Sequence, residues 1–392
     1  MTRALLLANH EVHWVTLDAA RLTSSDDTLA AWIPAEVRVH GLGGPTLYSL
    51  PAAPNFFAKI LRSLAFELPK RFATLDGHFE WTARLERKLV PIVRDHEIDA
   101  VLVCCGPHGQ ILPLRRLRKA LPRVRVFVDY RDLLSGNPWN ERANPRLNER
   151  VRERERRALG YADVLFLNTQ VARERFETVM GNIDGLELDV MRNAADYELA
   201  DSILAAESPL DFGPGFHLGF FGTLFPQRRL LEVLLAMREL DDARLRQTTL
   251  HCFIDRRQSP EILAADLAQV GSRVADRVVH REFVPYADAL RSMRAMHGLV
   301  LVNSPDSRDS VFVPGKLYDY LMARRPVLFV GSPGDASHIV ERCGGCAFEY
   351  GSARQIAATL TEWIDAPAPR LVDPVEEFDP QHTFAPLLDR LA

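Results

Sequence analysis

In the second half of the chain, short apolar runs alternate with amphipathic stretches, and that alternation narrows the possible folds most. The runs are His217–Gly222, Thr248–Ile254, Val278–Phe283, Gly298–Asn303 and Pro326–Gly331. Helical patterns lie between and after them, at Arg228–Leu240, Pro260–Val270, Tyr286–Met296, Gly315–Ala323 and Ala336–Arg342. Strands alternating with helices of this length form right-handed βαβ units on a parallel sheet. The runs lack polar alternation, as expected of strands covered by helices on both faces.

The first half repeats the theme. Glu11–Leu17, Ile98–Cys105, Val124–Asp129, Val164–Asn168 and Leu188–Met191 read as strands. Pro54–Ala73, Glu80–His96, Gln110–Leu121, Asn148–Gly160 and Ala172–Met180 read as helices. The 392 residues suit two domains at about 150 residues each. The halves change over near Asn193–Pro214, rich in Asp, Ser, Pro and Gly. The expected division is an N-terminal domain over 1–195, a C-terminal domain over 196–370, and a tail over 371–392 that crosses back. Asn9-His10-Glu11-Val12-His13 looks like a turn into a second strand, with Thr2–Ala8 as the end of a preceding helix. On that reading the usual first strand and its glycine-rich loop are missing; otherwise Arg3–Ala8 is itself a strand.

A net charge of −4 gives no case for nucleic acid as a partner. No apolar run reaches the roughly 18 residues needed to span a bilayer, and Glu11 and His13 interrupt any signal-peptide core. The expected location is cytoplasmic, with peripheral contact at the inner face of the cytoplasmic membrane. That contact is assigned to residues 54–73, where Phe56, Phe57, Ile60, Leu61 and Leu64 recur at helical spacing among Lys59, Arg62, Lys70 and Arg71. The competing reading packs the same stripe on a sheet. The five cysteines suit a reducing compartment, and Cys343-Gly-Gly-Cys346, a lone CxxC, reads as a turn between packed thiols.

Ligands of such sheets bind beyond the carboxyl ends of the strands, so the loops there carry the chemistry. Val313-Pro314-Gly315-Lys316-Leu317-Tyr318-Asp319-Tyr320-Leu321 places a proline where a helix begins, and the first amides of that helix suit a phosphate. Lys316 is the only lysine after Lys119. Asp319, one turn on, can bind a ribose hydroxyl. In Gly219-Phe220-Phe221-Gly222-Thr223-Leu224-Phe225-Pro226-Gln227-Arg228-Arg229, two arginines open a helix whose dipole disfavours them. A diphosphate would offset that penalty.

Together these segments resemble the donor half of glycosyltransferase family 4. Ala323-Arg324-Arg325-Pro326-Val327, Asp76-Gly77-His78-Phe79-Glu80-Trp81, Asp129-Tyr130-Arg131-Asp132, Ala162-Asp163-Val164 and Arg192-Asn193-Ala194-Ala195-Asp196 match in order and spacing over residues 10–365. The resemblance implies the α/β GT-B fold, two Rossmann-like parallel-sheet domains facing across a cleft. It implies retaining transfer from a nucleotide sugar, UDP- or GDP-linked, to a saccharide or lipid-linked acceptor in polysaccharide or glycolipid synthesis, with no further cofactor. By position, Gly222, Thr223, Arg228, Arg229, Gly315, Lys316 and Leu317 would hold the diphosphate. Asp319, Val284 and Tyr286 would hold the ribose and nucleobase. Two departures stand out. Val311 occupies the place of the first acid of the family's Glu-x7-Glu motif, with Asp306 and Asp309 nearby, and Thr223 stands where many relatives carry arginine.

No Asp-x-Asp occurs, so metal is not expected at the donor; arginine, lysine and helix amides can neutralise a diphosphate. In the N-terminal half, Asp132 is the first candidate to position or deprotonate the acceptor hydroxyl and His108 the second, with Asp129 and Arg131 as acceptor-binding residues. A sugar-nucleotide epimerase and a nucleotide-binding scaffold without catalysis are the rival readings. Epimerases need carboxylates crowding the sugar, which Val311 disfavours.

Overall fold

Strands that are apolar along their whole length must be covered on both faces, and the chain meets that demand twice. The computed structural model describes residues 1–18, 32–44, 60, 75–76, 78–141, 144–256, 258–366 and 370–392. Two compact units emerge, one running to Arg192 and taking in Thr383–Ala392, the other spanning Asn193–His382.

In the first unit, β1 (His13–Leu17) and β2 (Arg38–Leu42) form a parallel pair with His13 opposite Arg38. A separate parallel sheet runs β3 (Ala100–Cys105), β4 (Arg125–Tyr130), β5 (Val164–Leu167) and β6 (Glu187–Val190), neighbours in that order. Val126, Val128, Leu165 and Leu167 form its core with Ile111, Leu114 and Phe176. Among the described residues β1 and β3 share no ladder. Both line a cavity of about 650 Å³ with Trp14, Leu102 and Phe127 in its wall. Thr2–Leu7 is helical, so the alternative of a strand there is not adopted.

The second unit is one six-stranded parallel sheet. Its strands are β7 (Phe216–Gly222), β8 (Thr248–Ile254), β9 (Val278–Arg281), β10 (Gly298–Val302), β11 (Val327–Val330) and β12 (Cys346–Phe348). Their order is β12-β11-β10-β7-β8-β9. The chain starts in the middle, builds outward to β9, then crosses back to lay β10 against β7. That reversal makes the β7/β10 boundary a topological switch point, where loops diverge and leave a crevice. Leu218, Phe220, Leu250, Val300 and Leu328 fill the core. Gly298 permits close cover by the Ala353–Asp365 helix: a Cβ there would stand 2.6 Å from the Trp363 ring.

The observed elements depart from expectation where local chemistry competes with periodicity. Gln110–Leu121 divides into a 3-10 turn, His108–Ile111, and a helix, Leu114–Ala120, with Pro113 at the break. The helix expected from Arg228 starts at Leu231 instead. Its first residues are spent on a tight turn in which the Phe225 and Arg228 backbones bond to each other, at 3.3 and 2.9 Å. The Asp-rich changeover contains a helix, Tyr197–Leu204, capped by the Asp196 carboxylate on the Leu199 amide at 2.9 Å. Cys343-Gly-Gly-Cys346 is the turn from the Asp335–Arg342 helix into β12, with Gly344 at φ +71° and both thiols free. The amphipathic stretch 54–73 lies, but for Ile60, outside the described residues.

Candidate functional site

At the switch point of the second unit, Tyr320 ties three elements together. Its hydroxyl accepts from the Phe221 amide of β7 at 3.0 Å and donates to the Val300 carbonyl of β10 at 3.1 Å. The ring is fully buried. The helix that carries it, Lys316–Ala323, is thereby pinned with its N-terminus over the crevice. The sequence motif points to Lys316 and Asp319 and gives no sign of this clamp beside them.

On that helix the Asp319 carboxylate accepts from the Tyr286 hydroxyl at 2.9 Å, and its other oxygen lies 3.3 Å from the Lys316 ammonium. Burial, then the Asp319 charge, push the Tyr286 phenol well above its ordinary pKa, so it remains a donor. Tyr286, at the start of the helix after β9, thus meets Asp319, and Asp319 meets Lys316, on the helix that follows the loop after β10. Val284 is half-buried just before Tyr286, beside the exposed Phe283. Gly315 opens onto free space: a Cβ at this position would meet nothing within 4 Å. Leu317 does not fit its assigned role: its amide already donates to the Pro314 carbonyl at 2.9 Å, and its side chain is in the core.

The two arginines have different fates. Arg228 holds its guanidinium 6.0 Å from the Phe312 ring centroid, which brings the loop after β7 to the loop after β10. Arg229 donates through Nε to Asp266 at 2.7 Å, and Asp266 is fully buried. The expectation that Arg229 faces a diphosphate as a free, exposed cation is therefore corrected; its charge is committed to a buried carboxylate. Burial raises the Asp266 pKa, and Arg229 with the Leu230 and Leu231 amides opposes the rise. Asp266 is what offsets the arginine's clash with the helix dipole. Gly222 and Thr223 are half-buried at the end of β7, and Leu224 is anchored by its amide on the Ser259 hydroxyl at 2.8 Å. Val311 closes the 3-10 turn Ser307–Val311 and is buried, while Asp306 is held by Arg308 at 2.9 Å.

In the first unit, His108 follows β3 and Asp132 follows β4, and they meet through the backbone. His108 Nε2 lies 2.9 Å from the Asp132 carbonyl oxygen. That bond requires the proton on Nε2 and leaves Nδ1 as an acceptor. Burial pushes the His108 pKa down, so the ring is neutral at neutral pH. Its edge packs on Tyr130, 5.0 Å between centroids. His108 lines a cavity of about 550 Å³ together with Asp76 and His78, both in a motif quoted from the sequence, and Ser135, Trp139 and Asn140, which the sequence did not single out; Asp132 does not line it. Asp76 organises this loop by accepting from the His78 amide at 2.8 Å and from the Gly109 amide. Beneath it Glu155, fully buried, accepts from the Ser135 amide at 3.2 Å, and burial lifts its pKa to about 7.

Asp129 is corrected as an acceptor-binding residue. It is fully buried and bonded to Arg131 Nε at 2.9 Å, so its carboxylate is committed to an internal pair with Arg131. Arg131 also donates to the Met191 carbonyl at 3.3 Å and is oriented by both partners.

No protein-family model matches the chain, and no curated protein matches it. Solved structures do. An α,α-trehalose-phosphate synthase (UDP-forming) from Burkholderia xenovorans, in complex with glucose-6-phosphate, matches with a TM-score of 0.59 at 13% identity, over 99% of this chain and 93% of that one. A trehalose-6-phosphate protein of E. coli bound with UDP-2-fluoro glucose gives 0.62 at 13%, over 100% and 92%. Anabaena HepE in complex with UDP gives 0.57 at 15%, over 97% and 94%. At these identities the likeness establishes the fold, which is GT-B, with two Rossmann-like parallel-sheet units.

Proposed function

We propose that the chain is a glycosyltransferase that moves a sugar from a UDP- or GDP-linked donor to a saccharide or lipid-linked acceptor. The observation that carries this reading is the Lys316–Asp319–Tyr286 cluster at the N-terminus of a helix clamped over the β7/β10 switch point. A compact ammonium beside the Gly315 amide suits a diphosphate, and an oriented carboxylate one turn on suits a ribose diol. The reading is supported by the fold, and by UDP, UDP-2-fluoro glucose and glucose-6-phosphate in structures that share it.

In this mechanism Lys316 and the Gly315 amide neutralise the charge that grows on the leaving diphosphate, with Arg228 at the rim. No metal is required for that neutralisation. When Lys316 turns to a phosphate, the Tyr286 hydroxyl keeps Asp319 aimed at the ribose. Arg229 shapes the loop after β7 through Asp266 and does not touch the donor. In the first unit neutral His108 accepts a hydrogen bond from the acceptor hydroxyl at Nδ1, with Asp132 fixing the ring through its carbonyl. Transfer is assigned as retaining, its product a polysaccharide or glycolipid, and the site of action is the cytoplasm or the inner membrane face. Incubation with a panel of UDP- and GDP-sugars should release UDP or GDP from at least one donor, in the presence of EDTA. Release from none of them, with or without magnesium or manganese, contradicts the assignment.

A further inference from the structure

Three histidines converge at the other end of the first unit. His13 opens β1, His40 is the third residue of β2, and His96 caps the C-terminus of the Phe79–Asp95 helix that leads into β3. In the β1–β2 register His40 pairs with Val15 and Arg38 with His13, so His13 and His40 are diagonal neighbours on one face. His13 Nδ1 stands 3.0 Å from His40 Nε2. Ring centroids are 5.2 Å apart for His13 and His40, 4.9 Å for His13 and His96, and 4.8 Å for His40 and His96. One nitrogen from each ring falls within 4.8 Å of the other two, and among the described residues this is the group of His, Cys, Asp or Glu that converges so.

We infer that His13, His40 and His96 form a site for a borderline divalent transition cation, zinc being the ion their imidazoles suit best. Imidazole nitrogens about 2.0–2.1 Å from a tetrahedral zinc sit about 3.3 Å from one another, so the His13–His40 pair is already at ligand spacing. His96, exposed and at a helix end, closes the remaining distance by a side-chain rotation. The outer shell is built as well. Glu11 accepts from His13 Nε2 at 3.0 Å and is itself held by Arg38 at 3.1 Å. That contact fixes the tautomer with Nδ1 as the lone-pair atom facing His40. The His13 side chain is nearly buried, at 5% exposure. The fourth position stays open to a water.

The place in the fold sets the role. His13 stands at the start of β1, His40 at the middle of β2 and His96 at the corner before β3, whereas the His108 and Asp132 loops follow the ends of β3 and β4. A cation here takes no part in sugar transfer. It cross-links the β1–β2 pair to the helix that enters β3, two pieces that share no ladder among the described residues.

The full chain, freed of metal by chelation and dialysis, is titrated with zinc by calorimetry and with cobalt by visible absorption. One ion per chain, a tetrahedral cobalt spectrum and a raised unfolding temperature are expected. His96→Gln, on an exposed side chain, and His40→Ala should each weaken zinc binding by about tenfold or more, in line with the loss of a ligand or its outer shell. His280→Gln, on β9, should leave it unchanged, and UDP binding should survive in all three. No zinc uptake at micromolar concentrations, or uptake that both His96→Gln and His40→Ala leave intact, overturns the site.

Discussion

Replacing Arg229 with alanine tests the corrected account of the loop after β7. Asp266 is fully buried, and Arg229, a third exposed at its side chain, is its ionic partner. Breaking a buried pair by removing one member costs about 3–5 kcal/mol. Arg229 is partly solvated, so water can enter after truncation and the expected loss falls to about 2 kcal/mol. The pH dependence carries the signature. Burial already raises the Asp266 pKa against Arg229's opposition, and removing the arginine raises it further. The native variant then binds a proton at pH values where the unfolded chain, with an aspartate pKa near 3.9, does not. Its deficit relative to the parent is therefore largest at neutral pH and shrinks as pH falls towards 4. Urea unfolding at pH 7.5 and 5, followed by tryptophan fluorescence, measures both. Arg229→Ala/Asp266→Asn should recover at least half of the loss, since no charge is left stranded. An alanine variant as stable as the parent at both pH values, or a double variant no better than the single, would refute the argument.

Two further outcomes are expected. His251, buried, and His297, half-buried, flank His217 in the second unit and have pKa values pushed down to about 4, by burial first and then by repulsion from Arg281 and His217 for His251 and from His217 and Arg325 for His297. Their neutral forms stabilise the fold fully above the unfolded pKa of about 6.5, and that stability is lost as pH falls from there to about 4, at most about 3 kcal/mol each; His251→Asn should flatten the acid limb, and an unchanged limb would remove His251 as its cause. For residues 54–73, sedimentation with anionic liposomes should carry the protein down at low ionic strength and release it at high salt; a protein that stays in the supernatant throughout makes no such contact.

The second unit was largely legible because most of its strand residues are apolar, and Thr248–Ile254 matches β8 end to end. Elements failed to announce themselves where their residues look ordinary. β2 carries Arg38, His40 and Gly41, and β12 has only three residues after a Gly-Gly turn. In the site, Lys316 and Asp319 stood out in the sequence as a lysine and a carboxylate one turn apart at a Pro-Gly helix start, whereas Tyr286 came only through the family resemblance. Asp266 did not stand out, because a carboxylate on an amphipathic helix looks solvated until tertiary packing buries it beside Arg229. Asp129 failed the other way: it is the penultimate residue of a buried strand, and the polarity that suggested a ligand belongs to an internal pair with Arg131. The histidine cluster is drawn from three elements distant in sequence, so no local spacing reveals it.

Calorimetric titration of UDP and of GDP into the parent chain and into Lys316→Ala tests the central claim most directly. Lys316 is exposed enough to be lost without unfolding the helix, and a charge-assisted contact is worth about 1.5–3 kcal/mol, or about tenfold to a hundredfold in affinity. The account predicts saturable binding of at least one nucleotide by the parent, weakened by that factor in Lys316→Ala with the melting temperature unchanged. Binding of neither nucleotide, or equal binding by parent and variant, would contradict it.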